Sequence, residues 1–261
     1  MMKLISRKSK KNSAAPNNAA QRRWILNSKS SFYVQEAYKT LRTNIQFSLG
    51  AHQTKRFCIT SSLASEGKSI TILNLAISFA QTGKRVLLID ADLRRPNLGR
   101  LLMAKSTPGL SNILAGLCTP EAAIRQDAYP NLDIIFSGEI PPNPSELLGN
   151  PRMGQLIATM SEKYDYIMVD TPPVDIVSDA CVVANVLDGV LYLVRQNRTE
   201  KDAVAMGLQQ LELSGAHLMG FVLNDADTEN GNHYRRGKYR YGYRYGYRYG
   251  YRYGYESASK R

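Results

Sequence analysis

The sequence predicts a doubly wound α/β fold, a mostly parallel sheet with helices on both faces, with disordered basic arms at either end. Short apolar runs, among them VLLID and YIMVD, alternate with longer stretches of helical periodicity. Strands that are apolar on both faces belong to parallel sheets covered on both sides. The composition changes sharply at each end. This sets the expected boundaries: a basic arm over residues 1–30, a globular domain over 31–231 and a mobile tyrosine-rich tail over 232–261.

The elements follow in order. From Ser31 onward Val34, Ala37, Tyr38, Leu41 and Ile45 recur at three- and four-residue steps, the spacing of one helix face. Residues 56–60 (RFCIT) read as a short buried strand, and residues 68–82 as a helix stopped by Gly83. Residues 86–90 form the next strand, residues 109–115 a short helix, and residues 132–136 (LDIIF) a third strand. Residues 151–163 are helical, residues 166–170 a fourth strand and residues 178–187 a helix. Residues 190–194 and 218–223 are strands around a helix over residues 200–214. Right-handed crossovers between parallel strands place the strand C-termini, and any ligand site, along one edge.

Charge is unevenly placed. Of the net +12, residues 1–30 carry +8 and residues 232–261 carry +8, which leaves −4 for the globular part. Such arms suit anionic partners (a membrane face, an acidic protein surface or nucleic acid) and equally suit plain solvated tails. Cys58, Cys118 and Cys181 form no C-x-x-C pair and read as small buried hydrophobes of a reducing compartment. No run approaches the ~18–20 apolar residues of a membrane span. The N-terminus lacks the apolar stretch of a signal peptide. A cytoplasmic protein is expected.

The first motif is Ser62-Leu-Ala-Ser-Glu-Gly67-Lys68-Ser69, set between a strand and a helix. A phosphate loop has the form G-x-x-x-x-G-K-[ST] in that context; here Ser62 stands in place of the leading glycine. Backbone N–H groups and the helix N-terminus cradle a β-phosphate, Lys68 reaches the β/γ-phosphates, and the Ser69 hydroxyl is a ligand for Mg²⁺. Asp90 ends one strand and is followed by Asp92; Asp170 ends another. One aspartate after a strand is an ordinary cap or turn residue. Three of them, on the edge that carries the loop, match what Mg²⁺ takes: one or two carboxylates, a hydroxyl, phosphate oxygens and water.

SEGKS, LLIDADLRRP and IMVDTPP together resemble the three nucleotide-site motifs of the bacterial tyrosine kinases, from about residue 31 to residue 224. The fold this implies is P-loop NTPase-like. The resemblance implies an ATP-dependent protein-tyrosine kinase with Mg²⁺. In it Lys68 and Ser69 hold MgATP, and Ser65, Glu66, Gly67 and Ile70 complete the nucleotide contacts. Asp90 takes the proton of the tyrosine hydroxyl, while Asp92 and Asp170 position the metal and its waters. Arg94 is left open between phosphates and a partner chain, and Asn224 between adenine and a turn. Related partition and septum-site ATPases carry a second lysine early in the loop, at the position of Leu63 here. An ATPase switch of that type, with a tail that tethers it to a membrane or to nucleic acid, is the alternative.

The tail repeats Tyr-Arg-Tyr-Gly over residues 239–255. Glycine at every fourth position weighs against a packed strand. The resemblance makes Tyr239, Tyr241, Tyr243, Tyr245, Tyr247, Tyr249, Tyr251, Tyr253 and Tyr255 phosphoacceptors, modified by a neighbouring subunit. Alternating Arg and Tyr also suit nucleic acid, a partner the kinase motifs disfavour. Glu36, Lys39 and Arg42 resemble the family's E-x-x-R-x-x-R element for ring-like oligomers; Lys39 keeps the charge of the middle arginine but not its planar fork. Further partners implied are the cytoplasmic tail of a membrane activator of polysaccharide polymerisation and export, which would recruit the chain to the inner face of the cell membrane, and a tyrosine phosphatase. The biological role implied is control of capsule or exopolysaccharide synthesis.

Overall fold

The structure, a computed structural model, describes residues 22–50 and 55–226. Its elements run α1 (Phe32–Ser48), β1 (Lys55–Ser61), α2 (Lys68–Ala80), β2 (Val86–Asp90), α3 (Leu98–Leu102), α4 (Leu110–Leu114), α5 (Pro120–Ala123), β3 (Ile124–Tyr129) and β4 (Leu132–Ile135). They continue with α6 (Pro144–Leu148), α7 (Pro151–Ser161), β5 (Tyr166–Asp170), α8 (Asp179–Ala184), β6 (Gly189–Arg195), α9 (Lys201–Leu213) and β7 (Leu218–Asn224). The sheet order is β3-β4-β2-β5-β1-β6-β7. All neighbours are parallel except the β3–β4 pair at one edge. Chain contacts separate Met1–Ala226 from Asp227–Arg261, and the second unit lies outside the described residues.

The strands alternate strictly between two apolar layers, as a side-chain period of two requires. Val86, Leu88, Tyr166 and Met168 enter the layer that holds α1, α2 and α3. Leu87, Ile89, Ile167 and Val169 enter the opposite layer, with α4, α7, α8 and α9. This is why the sequence shows continuous apolar runs: both faces are buried. Helix α1 is capped by Ser31, whose hydroxyl accepts from the Val34 N–H. No described helix is long and apolar enough to cross a membrane.

The structure adds to the sequence reading in two places. Short helices α3, α5 and α6 and the edge strand β3 lie in stretches that show no readable period. The packed chain also begins before Ser31: Ile25 and Leu26 are buried, the Leu26 N–H donates to Asn74 Oδ1, and Asn74 Nδ2 donates to the Trp24 carbonyl. Two apolar residues in a polar, acid-free stretch carry no periodic signal, so their burial was not readable from sequence.

Candidate active site

Strand pairing builds the site. Asp90 and Asp170 are register partners on β2 and β5, and Ile59 of β1 is partnered with Asp170 on the other side. The three central strands therefore end together, with the loop after β1 above them. Gly67 holds φ +103 at the start of α2, and a side chain there would strike the Asn224 amide. The first N–H groups of α2 precede its hydrogen-bond ladder, which opens with Thr71 N–H to the Gly67 carbonyl. They form the anion-binding end of the helix.

The floor beneath is charged and enclosed. Asp90 is fully buried; its Oδ1 accepts from the Asp92 N–H at 3.3 Å and its Oδ2 from the Leu98 N–H at 3.2 Å. Burial first, then the charges of Asp170 and Asp92, push its pKa well above the ordinary carboxylate range. Asp170 is also buried, and neither of its oxygens has a hydrogen-bond partner. Burial raises its pKa to about 7, against the opposing pull of the nearby Ser69 hydroxyl and Lys68 charge. Lys68 is buried and donates to the Ser61 hydroxyl at 3.1 Å. Burial pulls its pKa down, while Asp170, Asp92 and Glu66 pull it back up. Asp92 is half-buried and accepts the Arg95 N–H at 2.9 Å. The three aspartates, Lys68 and Ser69 are thus brought together.

The loop is fastened from the side by residues that the motif does not name. Glu66 is fully buried; its carboxylate accepts the Leu63 N–H at 3.0 Å and the Thr199 hydroxyl. Asn224 Nδ2 donates to the Glu66 carbonyl at 2.8 Å, so Asn224 braces the loop backbone. Arg195 donates to the Ser65 carbonyl at 3.2 Å, and Ser65 itself sits at φ +64. The Ser62 hydroxyl is 2.8 Å from that of buried Tyr192. A glycine at position 62 would leave that phenol without this partner. Ile70 is half-buried and packs on the core layer of α2. Thr199, Arg195 and Tyr192 lie far from the loop in sequence, and no local spacing marks them.

The chain is similar to known proteins across this region. Residues 55–187 match the family described as AAA domain. Tyrosine-protein kinase YwqD of Bacillus subtilis (strain 168) is 41% identical over 189 residues, 72% of this chain and 80% of that one. Tyrosine-protein kinase CpsD of Streptococcus agalactiae serotype III (strain NEM316) is 38% identical over 191 residues, 73% and 82% of the two chains. The chain belongs to the bacterial tyrosine-protein kinase family. The solved kinase domain of Escherichia coli tyrosine kinase ETK superposes with a TM-score of 0.72 at 35% identity, covering 81% of each chain. The septum site-determining protein MinD of Pyrococcus horikoshii OT3 reaches a TM-score of 0.55 at 23% identity, covering 65% of this chain and 70% of that one. That likeness shows a shared fold alone, and the kinase reading stands ahead of the ATPase-switch alternative.

Other residues singled out in the sequence of this kinase lie elsewhere. Arg94 is held by Asp179 through Nε at 2.8 Å and Nη2 at 3.1 Å, and donates also to Ser145. In this arrangement its Nε and Nη2 are taken by these two residues, and the side chain remains partly exposed. On α1, Lys39 pairs with Glu36 at 2.7 Å on the exposed surface. Arg42 donates to the Ser78 carbonyl and hydroxyl of α2. Cys58 and Cys181 are buried and Cys118 half-buried. The nine tail tyrosines, Tyr239 to Tyr255, lie outside the described residues.

Proposed function

We propose that this tyrosine kinase binds MgATP over the loop before Lys68 and transfers the γ-phosphoryl group to tyrosines of its own C-terminal tail, in trans. The observation that supports this most is Asp170: a buried carboxylate with two unpartnered oxygens, between Lys68 and Asp90 at the sheet edge. A buried polar group without a partner is costly and calls for a functional explanation.

The donors fit a hard cation. Asp170, Asp92 and the Ser69 hydroxyl would hold Mg²⁺, with phosphate oxygens and water completing the shell. The bound ion supplies charge neutralisation and Lewis-acid polarisation of phosphate oxygens. Lys68 and the helix N–H groups neutralise the β- and γ-phosphates. Ser65, Glu66, Gly67, Ile70 and Asn224 fix the loop that carries them. Asp90 is the proposed base, and it would have to ionise before it could accept the phenol proton, which a nearby cation would favour. The tyrosine oxygen bonds to the γ-phosphorus, the bond to the β-phosphate oxygen breaks, ADP leaves, and the phenol proton passes to Asp90.

The remaining proposals follow from the family. Glu36, Lys39 and Arg42 contribute to a ring-like homo-oligomer that brings tails to neighbouring sites. The cytoplasmic segment of a membrane activator recruits the kinase to the inner face of the membrane, a tyrosine phosphatase reverses the modification, and the output is capsule or exopolysaccharide synthesis. Incubation of the full chain with labelled ATP, followed by mass spectrometry, tests the core of this. Phosphotyrosine in residues 239–255, reduced about 10²–10³-fold in Lys68→Met, is the expected result. Free phosphate with no labelled tyrosine would support the ATPase switch instead.

A further inference from the structure

The segment before α1 has a character that catalysis does not use. Residues 1–35 contain no acidic residue, and residues 1–30 hold a charge of +8. Ile25 and Leu26 are sunk into the core, and Asn74 clamps the backbone on both sides of Ile25. This fixed base points other side chains outward: Trp24 is 59% exposed, Phe32 72% and Tyr33 81%. Of the five exposed Trp, Phe and Tyr residues recorded among the described residues, three lie between residues 24 and 33. Single exposed apolar residues are ordinary, but large aromatics gathered on one short basic segment are not.

Basic side chains lie on the same segment. The Arg23 guanidinium stands 4.8 Å from the centre of the Trp24 ring. Arg22 touches Met103, which is itself exposed and belongs to a second acid-free stretch, residues 93–120. Lys29 is exposed in the turn between Trp24 and Phe32.

We infer that this surface is a membrane-interface site: Trp24, Phe32 and Tyr33 enter the headgroup region of an anionic bilayer while Arg22, Arg23 and Lys29 contact lipid phosphates. Tryptophan and tyrosine with an apolar body and a polar edge settle at that depth, and basic side chains keep their charge in the headgroups. Lipid fits better than nucleic acid. Stacking on bases uses aromatics set along a basic groove, whereas these rings protrude, and exposed Val34 next to them in sequence offers a base nothing. Lipid contact of this kind is independent of the activator and of phosphoryl transfer. A single weak anchor of this size is reversible, so it would bias the kinase toward the membrane rather than fix it there.

Trp24 is the one tryptophan of the chain, so its emission reports the site directly. The test mixes the full chain with vesicles of phosphatidylcholine alone, or of phosphatidylcholine with phosphatidylglycerol, and records sedimentation and Trp24 emission. Blue-shifted emission and co-sedimentation with the anionic vesicles only are expected. Phe32→Ser with Tyr33→Ser should weaken binding by at least about tenfold. Arg22→Gln and Arg23→Gln should each weaken it about fivefold. An unchanged circular dichroism spectrum and an unchanged unfolding midpoint should show that these surface variants fold. The inference is overturned by any of four results: no vesicle binding; sedimentation with Trp24 emission unchanged, which would place binding on the arm or the tail; a lipid-free shift that grows with protein concentration, as for a second copy; or an equal shift with single-stranded DNA.

Discussion

Asp170 and Asp179 lie close together in the chain and both are fully enclosed, yet their surroundings are opposite. Asp179 accepts two bonds from Arg94 and one from the Ser145 hydroxyl at 2.5 Å. Asp170 accepts none. Taking a carboxylate out of water is costly unless hydrogen bonds and an opposite charge offset the loss. At Asp179 that offset is complete, and the residue ties the start of α8 to the loop after β2. At Asp170 the Ser69 hydroxyl and the Lys68 charge offset only part of it, and burial lifts the pKa to about 7. One carboxylate stabilises the fold; the other, on the proposed reading, would be completed by a cation at the centre of the sheet edge.

Asp170→Asn should separate the two most widely. Phosphotyrosine formation should fall about 10²–10³-fold, as for loss of a charge aimed at the transition state. The stability of the ligand-free protein should move the other way. The folded pKa of Asp170 lies above its unfolded value, so the folded state holds a proton that the unfolded chain releases between about pH 4 and 7. The ionising carboxylate therefore destabilises the fold as pH rises through that window, and the penalty is fully present above pH 7. Chemical denaturation should show the Asn variant more stable at pH 8, by at most roughly 4 kcal/mol, and little changed at pH 4. Asp179→Ala should show the reverse sign. It leaves Arg94 without its partner and should lose roughly 2–3 kcal/mol, below the 3–5 of a wholly buried pair because Arg94 is 37% exposed. If both substitutions changed stability in the same direction, the comparison would collapse. The smallest effect is expected at Ser65, whose φ of +64 costs a non-glycine residue energy. Ser65→Gly should raise stability by about 0.5 kcal/mol, since chain entropy offsets part of the relief.

Much of this site could be read in advance. VLLID and YIMVD end in carboxylates because buried parallel strands must be apolar until they reach the sheet edge, and the observed strands Val86–Asp90 and Tyr166–Asp170 have those bounds. Lys68 and Ser69 follow from the loop-to-helix junction. What could not be read depends on distance along the chain. Arg94 meets Asp179 across 85 residues, and Glu66 meets Thr199 across 133. Local spacing carries no trace of either. Strand β3 was hidden for a different reason: IRQDAY is exposed at the sheet edge and pairs antiparallel through an irregular register, so it shows neither an apolar run nor a clean alternation. Resemblance left Arg94 open between phosphates and a partner chain, and the geometry adds an internal ion pair with Asp179 that no local spacing shows.

The claim that joins these points is that a magnesium-bound triphosphate completes the unpartnered Asp170. Calorimetry of MgATP binding at pH 7, repeated in buffers of different ionisation enthalpy, counts the protons released as that carboxyl is forced to ionise. About half a proton more should leave the native chain than the Asp170→Asn variant, and only when Mg²⁺ is present. An equal proton count in the two proteins, or a count indifferent to Mg²⁺, would contradict the account.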